Sequence, residues 1–488
     1  MSGLKAAFRP RSHFNARSGN RYSLLPLRFL ALDDSRYIVT NLVGEHLVLP
    51  RETVHALVRH ELPMNSAAYA ELKASHFVVD ADSAVALDLL ALKYRTKQAF
   101  LSQFTSLFMF VTTLRCEHSC RYCQVSRQSE SKHEFDMTVE TAKAAVDFMF
   151  KSPSPSLKVE FQGGESLLNF EIVKHIVARV EERNLQERRA VEFVIATNLA
   201  PLSEEHLRFC ADHHILISTS LDGPESLHNF NRPKKGKDSY ALAVDGIRRA
   251  RAALGKDRVS ALMTTTEASF ERPKEIVDEY VAQGFDSIFL RSISPYGFAV
   301  KTGQASRYQM AAWLDFYKTA LSHIIDLNLR GVPFREEFAS LILRKILTPW
   351  PTGYVDLQSP AGIGISALVF NYDGAIYASD ESRMLAEMGD QTFRLGTLGI
   401  DEFETVMTSD RLLQPLLDSM SEGVPMCSDC ALQPYCGADP VHHHATQGNS
   451  VGFKPTSSYC QKTMGVVRHL IGLLEDDPAA AHVLRGWV

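Results

Sequence analysis

Three thiols stand within eight residues of the stretch TTLRCEHSCRYCQVSRQ, at Cys116, Cys120 and Cys123, with no fourth cysteine nearby. A structural zinc site needs four tetrahedral ligands, and His118 lies awkwardly between two of the thiols, so this loop is a ligand short of a zinc knuckle. A 4Fe–4S cubane is ordinarily held by four thiolates, and three leave one iron open to an exchangeable ligand. A second group lies near the carboxyl end, with Cys427, Cys430 and Cys436 in a Cys-x2-Cys-x5-Cys run and Cys460 farther on. Four thiols can hold zinc or a closed cluster. Seven of the eight cysteines fall into these two groups, which points to metal binding in a reducing compartment and away from a disulfide scaffold. The eighth, Cys210, sits in the helical pattern EEHLRFCADHH and reads as a small buried residue. His442, His443 and His444 read as a polar loop beside the second group, with proton carriers near substrate as the sharper alternative.

The elements that must position these groups follow a repeating pattern from about residue 105. Strand-like runs SLFMFVTT, LKVEFQ, VEFVIAT, ILISTSLD, VSALMTT and SIFLRSIS alternate with segments of helical periodicity, a sixth helix following at MAAWLDFYKTALSHIIDLNL. Such alternation predicts an α/β fold in which six βα units curl a parallel sheet into a partial (β/α)6 barrel of the TIM type. Active sites in such folds sit where strands end, and the three-thiol loop follows the first strand.

The domain reading is a flexible basic arm over 1–21, a small module over 22–100, the barrel over 104–340, a turn-rich cysteine domain over 350–470 and a C-terminal helix over 471–488. Three strands with two or three helices describe the 22–100 module as winged-helix-like. The arm carries Lys5, Arg9, Arg11, Arg17 and Arg21 without an acid, and it lacks the apolar core of a secretory signal. The chain has 488 residues, 45% hydrophobic, with a formal net charge of -5. That charge gives no footprint for nucleic acid or an anionic membrane. No apolar run approaches the roughly 18 residues that span a bilayer, and a cytoplasmic location is expected.

CEHSCRYC fits the Cys-x3-Cys-x2-Cys signature and resembles the radical S-adenosylmethionine enzymes. The resemblance implies that the open iron chelates the amino and carboxylate groups of S-adenosylmethionine. FQGGESLL is similar to the family's Gly-Gly-Glu motif, which would set Gly163, Gly164 and Glu165 against the cosubstrate's ammonium. TSLDGPESLHNFNR resembles the fourth-strand segment of peptide-modifying members, implying Ser220 and Asp222 near the ribose and Arg232 near the carboxylate or substrate. IATNLA offers Asn198 in the same way, and Tyr122 is expected against the cluster or the adenine.

The tail resembles the SPASM domain, whose full pattern has seven cysteines serving two auxiliary 4Fe–4S clusters. Here Ser359, Ser379 and Pro440 stand where ligands of the first would be, so one auxiliary cluster is implied, on Cys427, Cys430, Cys436 and Cys460. The 22–100 module is similar to those that capture a precursor's leader as an added strand. NLVGEHLVLPRETVHALV and FTSLFMFVTTLRCEHSCRYCQVSRQ further resemble the B-type His-Xaa-Ser system maturase. The implied function is hydrogen-atom abstraction from a side chain of a ribosomally made precursor, through a 5'-deoxyadenosyl radical, to form an intramolecular crosslink. Implied partners are the precursor peptide, a flavodoxin or ferredoxin electron donor, a second radical maturase and a small companion protein. The alternatives are a sulfatase-type maturase oxidising a Cys or Ser of a target enzyme, and a non-catalytic zinc-ribbon adaptor.

Overall fold

The structure is a computed structural model and describes residues 22–82 and 85–488; the expected basic arm lies outside the described residues. The amino-terminal module contains β1 (Tyr22–Leu24), β2 (Leu27–Ala31), β3 (Arg36–Asn41), β4 (His46–Pro50) and β5 (Val78–Asp80), with helices Arg51–Val58, Ala67–Ala74 and Ala86–Lys97. The strands β2, β3 and β4 form an antiparallel meander, and β1 pairs with β5 across the module. Val39, Val54, Leu57, Leu72 and Phe77 fill its core. Helix Ala67–Ala74 starts where Ser66 Oγ accepts the Tyr69 amide, satisfying a donor that the first turn leaves free.

The main sheet draws on β6 (Leu107–Thr113), β7 (Ser156–Gly163), β8 (Ala190–Ala196), β9 (Leu216–Ser220) and β10 (Val259–Thr264). The expected sixth strand is split into β11 (Ser287–Ile288) and β12 (Leu290–Arg291). β12 pairs with β10, whereas β11 turns to the short β13 (Arg335–Glu336). The tail supplies β14 (Ala367–Phe370), β15 (Ala375–Tyr377) and β16 (Arg394–Thr397), and the order is β12-β10-β9-β8-β7-β6-β14-β15-β16. Pairing is parallel from β12 through β14, and the last two strands return antiparallel. Helices Val139–Met149, Phe170–Glu187, Glu204–Asp212, Ser239–Leu254, Pro273–Ala282 and Met310–Leu329 occupy the connections, where the periodicity places them. The helices cover one side of these strands, which accounts for Phe108, Phe110, Val159 and Phe161 being fully buried.

Two expected borders differ from the observed ones. The sheet runs on past residue 350, because β14 lies in parallel register with β6 from Leu107 to Phe110. The border at 470 falls inside helix Ser458–Asp476, which ends before Pro478 opens the helix Pro478–Arg485. The module is tied to the tail by Thr40 Oγ1 donating to Ala431 O (2.7 Å), Tyr435 Oη donating to Gly44 O (2.6 Å) and Arg28 donating to Gln433 (2.6 Å).

Candidate active site

Beyond β6 the chain forms a loop closed at its base, where Cys116 N donates to Gln128 O (3.0 Å) and Gln128 N to Leu114 O (2.6 Å). Its tip is anchored by Ser119 N to Pro233 O (2.8 Å) and Arg121 N to Asn231 O (3.0 Å), while Phe298 N donates to Cys123 O (2.7 Å). Three separate segments therefore hold Cys116, Cys120 and Cys123 in place. The thiols line a cavity of about 240 Å³. Strands β7, β8, β9, β10 and β12 all contribute to its wall, so the sheet curls around it.

Tyr122, Gly163, Gly164, Asn198, Ser220 and Arg232 also line the cavity. Asn198 Nδ2 stands 3.9 Å from Cys116 Sγ. The Arg232 guanidinium lies over the Tyr122 ring at 5.3 Å. Gly163 has φ +147°, and a Cβ there would fall 2.0 Å from Thr113 O; at Gly164 a Cβ would meet Arg115 O at 2.3 Å. Only hydrogen fits between β7 and the thiol loop, and both glycines turn bare backbone to the cavity.

Two expected site residues are held by the protein's own donors. Glu165 is fully buried, and its carboxylate accepts from Leu167 N (3.1 Å), Thr197 Oγ1 (2.7 Å) and Asn198 N (2.7 Å). It braces the ends of β7 and β8. Burial, with Glu117 adding, pushes its carboxyl up to about 8. Asp222 is likewise fully buried, accepting from Tyr122 Oη at 2.7 Å and paired with Arg232 Nε at 3.0 Å. Its oxygens orient those two cavity residues.

Burial raises the Cys116 thiol well above its usual value and pushes Cys120 up to about 12. Neutral buried thiols in a dry loop are what a metal centre's positive charge converts to ligands. Cys116, Glu117 and His118 place ligand atoms within 4.8 Å of one another. The His118 ring is already engaged, Nδ1 with Glu117 at 2.9 Å and Nε2 with Ser239 Oγ at 2.9 Å. The lack of a fourth cysteine around the cavity fits a cluster with one open iron.

In the tail, Cys427, Cys436 and Cys460 line a small cavity of about 20 Å³. Burial pushes Cys436 up to about 12, with Cys460, Cys427 and Cys430 adding their repulsion. The three residues expected in place of ligands have structural roles. Ser359 Oγ accepts from Ser421 N at 2.9 Å and donates to Glu422 at 2.5 Å. Ser379 caps the helix Asp380–Ala386, and Pro440 opens the helix Pro440–Gln447.

That last helix carries His442, His443 and His444, correcting the expected polar loop. Their Nε2 atoms diverge to Ser458 (3.0 Å), Ser457 (2.9 Å) and Asp390 (2.8 Å). Burial lowers His442 to about 3 and His443 to about 4, which leaves both neutral and poor proton carriers near pH 7. Cys210 is buried in its helix as expected, 1% exposed.

Residues 110–280 match the Radical SAM superfamily. These residues form a radical SAM domain, and the chain is an enzyme. It is 22% identical to a serine-type anaerobic sulfatase-maturating enzyme of Klebsiella aerogenes over 351 residues, 68% of this chain and 79% of that one. In fold it is similar to native anSMEcpe with bound AdoMet, with a TM-score of 0.63 at 17% identity, covering 78% of this chain and 99% of that one. It is also similar to Streptococcus suis SuiB bound to precursor peptide SuiA, with a TM-score of 0.52 at 14% identity over 90% of this chain and 100% of that one. Among the described residues no helix is long and apolar enough to cross a membrane.

Within the barrel, sequence reasoning missed Glu160, Gln162 and Arg291, and from the tail Asp380 and Met384, all of which line the cavity. A signal was present for the first two. Glu160 and Gln162 continue the polar side of the alternating strand SLKVEFQG, and period two puts them on one face. Asp380 follows Ser379 directly, but only the pairing of β14 with β6 carries the tail to the barrel.

Proposed function

We propose that the protein is a peptide maturase, and the observation that carries this is the convergence of three thiols, without a fourth, on a 240 Å³ cavity at the strand ends. Cys116, Cys120 and Cys123 would hold a 4Fe–4S cluster, and the open iron would take S-adenosylmethionine. When bound, that pair supplies one-electron cleavage to methionine and a 5'-deoxyadenosyl radical able to take hydrogen from an unactivated carbon. The chain's own part is placement and exclusion of water. Gly163 and Gly164 offer backbone to the cosubstrate's amino acid end, with Asn198 and Ser220 at its edge. Arg232, fixed by Asp222 and stacked on Tyr122, presents a fixed cation to a carboxylate. Glu165 keeps the strand ends in register.

Cys427, Cys430, Cys436 and Cys460 would hold one auxiliary cluster in a SPASM-like domain, closed by four thiolates and suited to carrying electrons from substrate. The 22–100 module, read as winged-helix-like, would bind a precursor leader. Supporting this, among the described residues β4 pairs on one side only, with β3, and Leu87, Leu89 and Leu92 of helix Ala86–Lys97 are exposed. SuiB, seen with its precursor peptide, supports a peptide substrate. We assign the precursor to the His-Xaa-Ser repeat class on motif resemblance, with an intramolecular crosslink as product, a flavodoxin or ferredoxin as electron donor, and a second maturase and small companion protein as partners.

The sulfatase-maturating relatives favour a second reading, oxidation of a Cys or Ser in a target protein. Conversion of Ser359, Ser379 and Pro440 to hydrogen-bonding and capping roles speaks against a second auxiliary cluster, and so for a simpler electron path. Co-expression with each candidate substrate, followed by tandem mass spectrometry, tests the choice. A loss of two hydrogens within His-Xaa-Ser repeats is expected; conversion of a sulfatase Cys or Ser with untouched repeats would overturn the assignment.

A further inference from the structure

A second cavity, of about 70 Å³, adjoins the first, and Arg291 lines both. Its wall combines β12, helix Met310–Leu329, the start of helix Asp380–Ala386 and helix Ser458–Asp476. Three carboxylates, Asp356, Glu381 and Asp439, line it against two cations, Arg291 and Lys462. The pairing is loose, with Arg291 Nη2 3.9 Å from Glu381 Oε1. Burial, with neighbouring carboxylates adding, pushes Glu381 up to about 8 and Asp439 up to about 7. Crowding and burial thus keep protons on these acids that an entering cation would displace.

A separate observation points to a missing guest. Tyr296, Trp313 and Thr463 line the same cavity, each only 1% exposed, and Tyr296 Oη, Trp313 Nε1 and Thr463 Oγ1 have no hydrogen-bond partner. Buried polar atoms are ordinarily paired, and an unmet one is costly. Carboxyls that an entering cation would ionise call for an N–H-bearing cation. An indole N–H and two hydroxyls call for an acceptor alongside it, such as a peptide carbonyl.

Resting on the peptide-modifying reading above, we propose that this cavity is a substrate subsite that seats a basic side chain of the peptide, with its adjoining carbonyl, next to the residue being modified. Arg291 at the shared wall sets the occupant beside the first cavity. The subsite would then choose which position of the peptide reaches the reacting centre.

The probes are the N-acetyl N-methylamides of histidine, lysine, arginine, norleucine and glutamate, titrated calorimetrically into anaerobically reconstituted full-length holoprotein at about pH 8.5, where the acids are largely ionised and lysine and arginine stay charged. At least one basic probe should bind about tenfold more tightly than the norleucine or glutamate probe. Glu381→Gln should erase that preference, and Trp313→Phe, which keeps the volume but removes the N–H, should weaken the best probe about threefold. Equal binding of all five probes, binding of none, or an undiminished preference in Glu381→Gln would overturn the proposal; if that variant does not fold, Asp356→Asn supplies the same comparison. Failure of the wild-type holoprotein to cleave S-adenosylmethionine would remove the proposed function, whereas cleavage without a basic preference would remove the subsite alone.

Discussion

The two thiol centres differ in what surrounds them more than in the thiols themselves. In the barrel loop three cysteines within eight residues border a 240 Å³ cavity and two glycines whose missing side chains leave backbone exposed to it. In the tail Cys427, Cys436 and Cys460 line a cavity of about 20 Å³. Both are buried, and burial raises the thiols in both. The difference teaches that room for a cosubstrate exists beside the three-thiol loop and not beside the tail's cysteines.

The sharpest way to break the comparison is to empty each centre in turn. Replacing Cys116, Cys120 and Cys123 together by Ala should reduce S-adenosylmethionine cleavage to background and remove half of about eight irons per chain. Iron analysis and chromatography of 5'-deoxyadenosine check this, and full iron retention would contradict the ligand assignment. Cys436→Ser should remove the other half; cleavage should persist while peptide product is lost, since four-thiolate closure leaves that centre no cosubstrate role.

A subtler change tests the room itself. In Gly164→Ala the new Cβ would lie 2.3 Å from Arg115 O and 2.5 Å from Leu114 O, and backbone cannot yield as a side chain can. Overpacking of this kind costs about 1–3 kcal/mol. It should also shift the thiol loop, weakening S-adenosylmethionine binding while leaving the tail's iron intact. Urea unfolding and a cosubstrate titration read the two effects.

The smallest effect concerns the packing behind the barrel loop. Ser239 Oγ lies between His118 Nε2 at 2.9 Å and His228 Nε2 at 3.2 Å. Burial lowers His228 from 6.5 to about 4. The folded state therefore binds fewer protons than the unfolded chain in that window, so this stabilisation is full above pH 6.5 and is lost as pH falls toward 4. The loss amounts to at most ~3 kcal/mol. His228→Asn lacks this titration, so the stability gap between parent and variant should shrink as pH falls from 7 to about 4.5; a constant gap in urea midpoints would contradict the assignment.

Much of this architecture is legible in the sequence because strand-like runs alternate with helical periodicity and because thiol spacing is local. Cys116, Cys120 and Cys123 needed no tertiary knowledge to be grouped. Glu165 and Asp222 show the limit: a motif gives residue types, but not whether a carboxylate's oxygens are spent on Thr197 and Asn198, or on Tyr122 and Arg232, before any ligand arrives. The split of the sixth strand depends on Arg335 and Glu336, far along the chain. The second cavity joins residues from Arg291 to Thr463, and no local pattern announces it.

The account's central claim is that the barrel centre keeps an iron open for S-adenosylmethionine. Electron paramagnetic resonance on reduced, oxygen-free protein tests it most directly. Adding S-adenosylmethionine should reshape the signal in the parent and in Cys436→Ser, and should leave it unchanged in the triple alanine variant. An unaltered spectrum in the parent would contradict the claim.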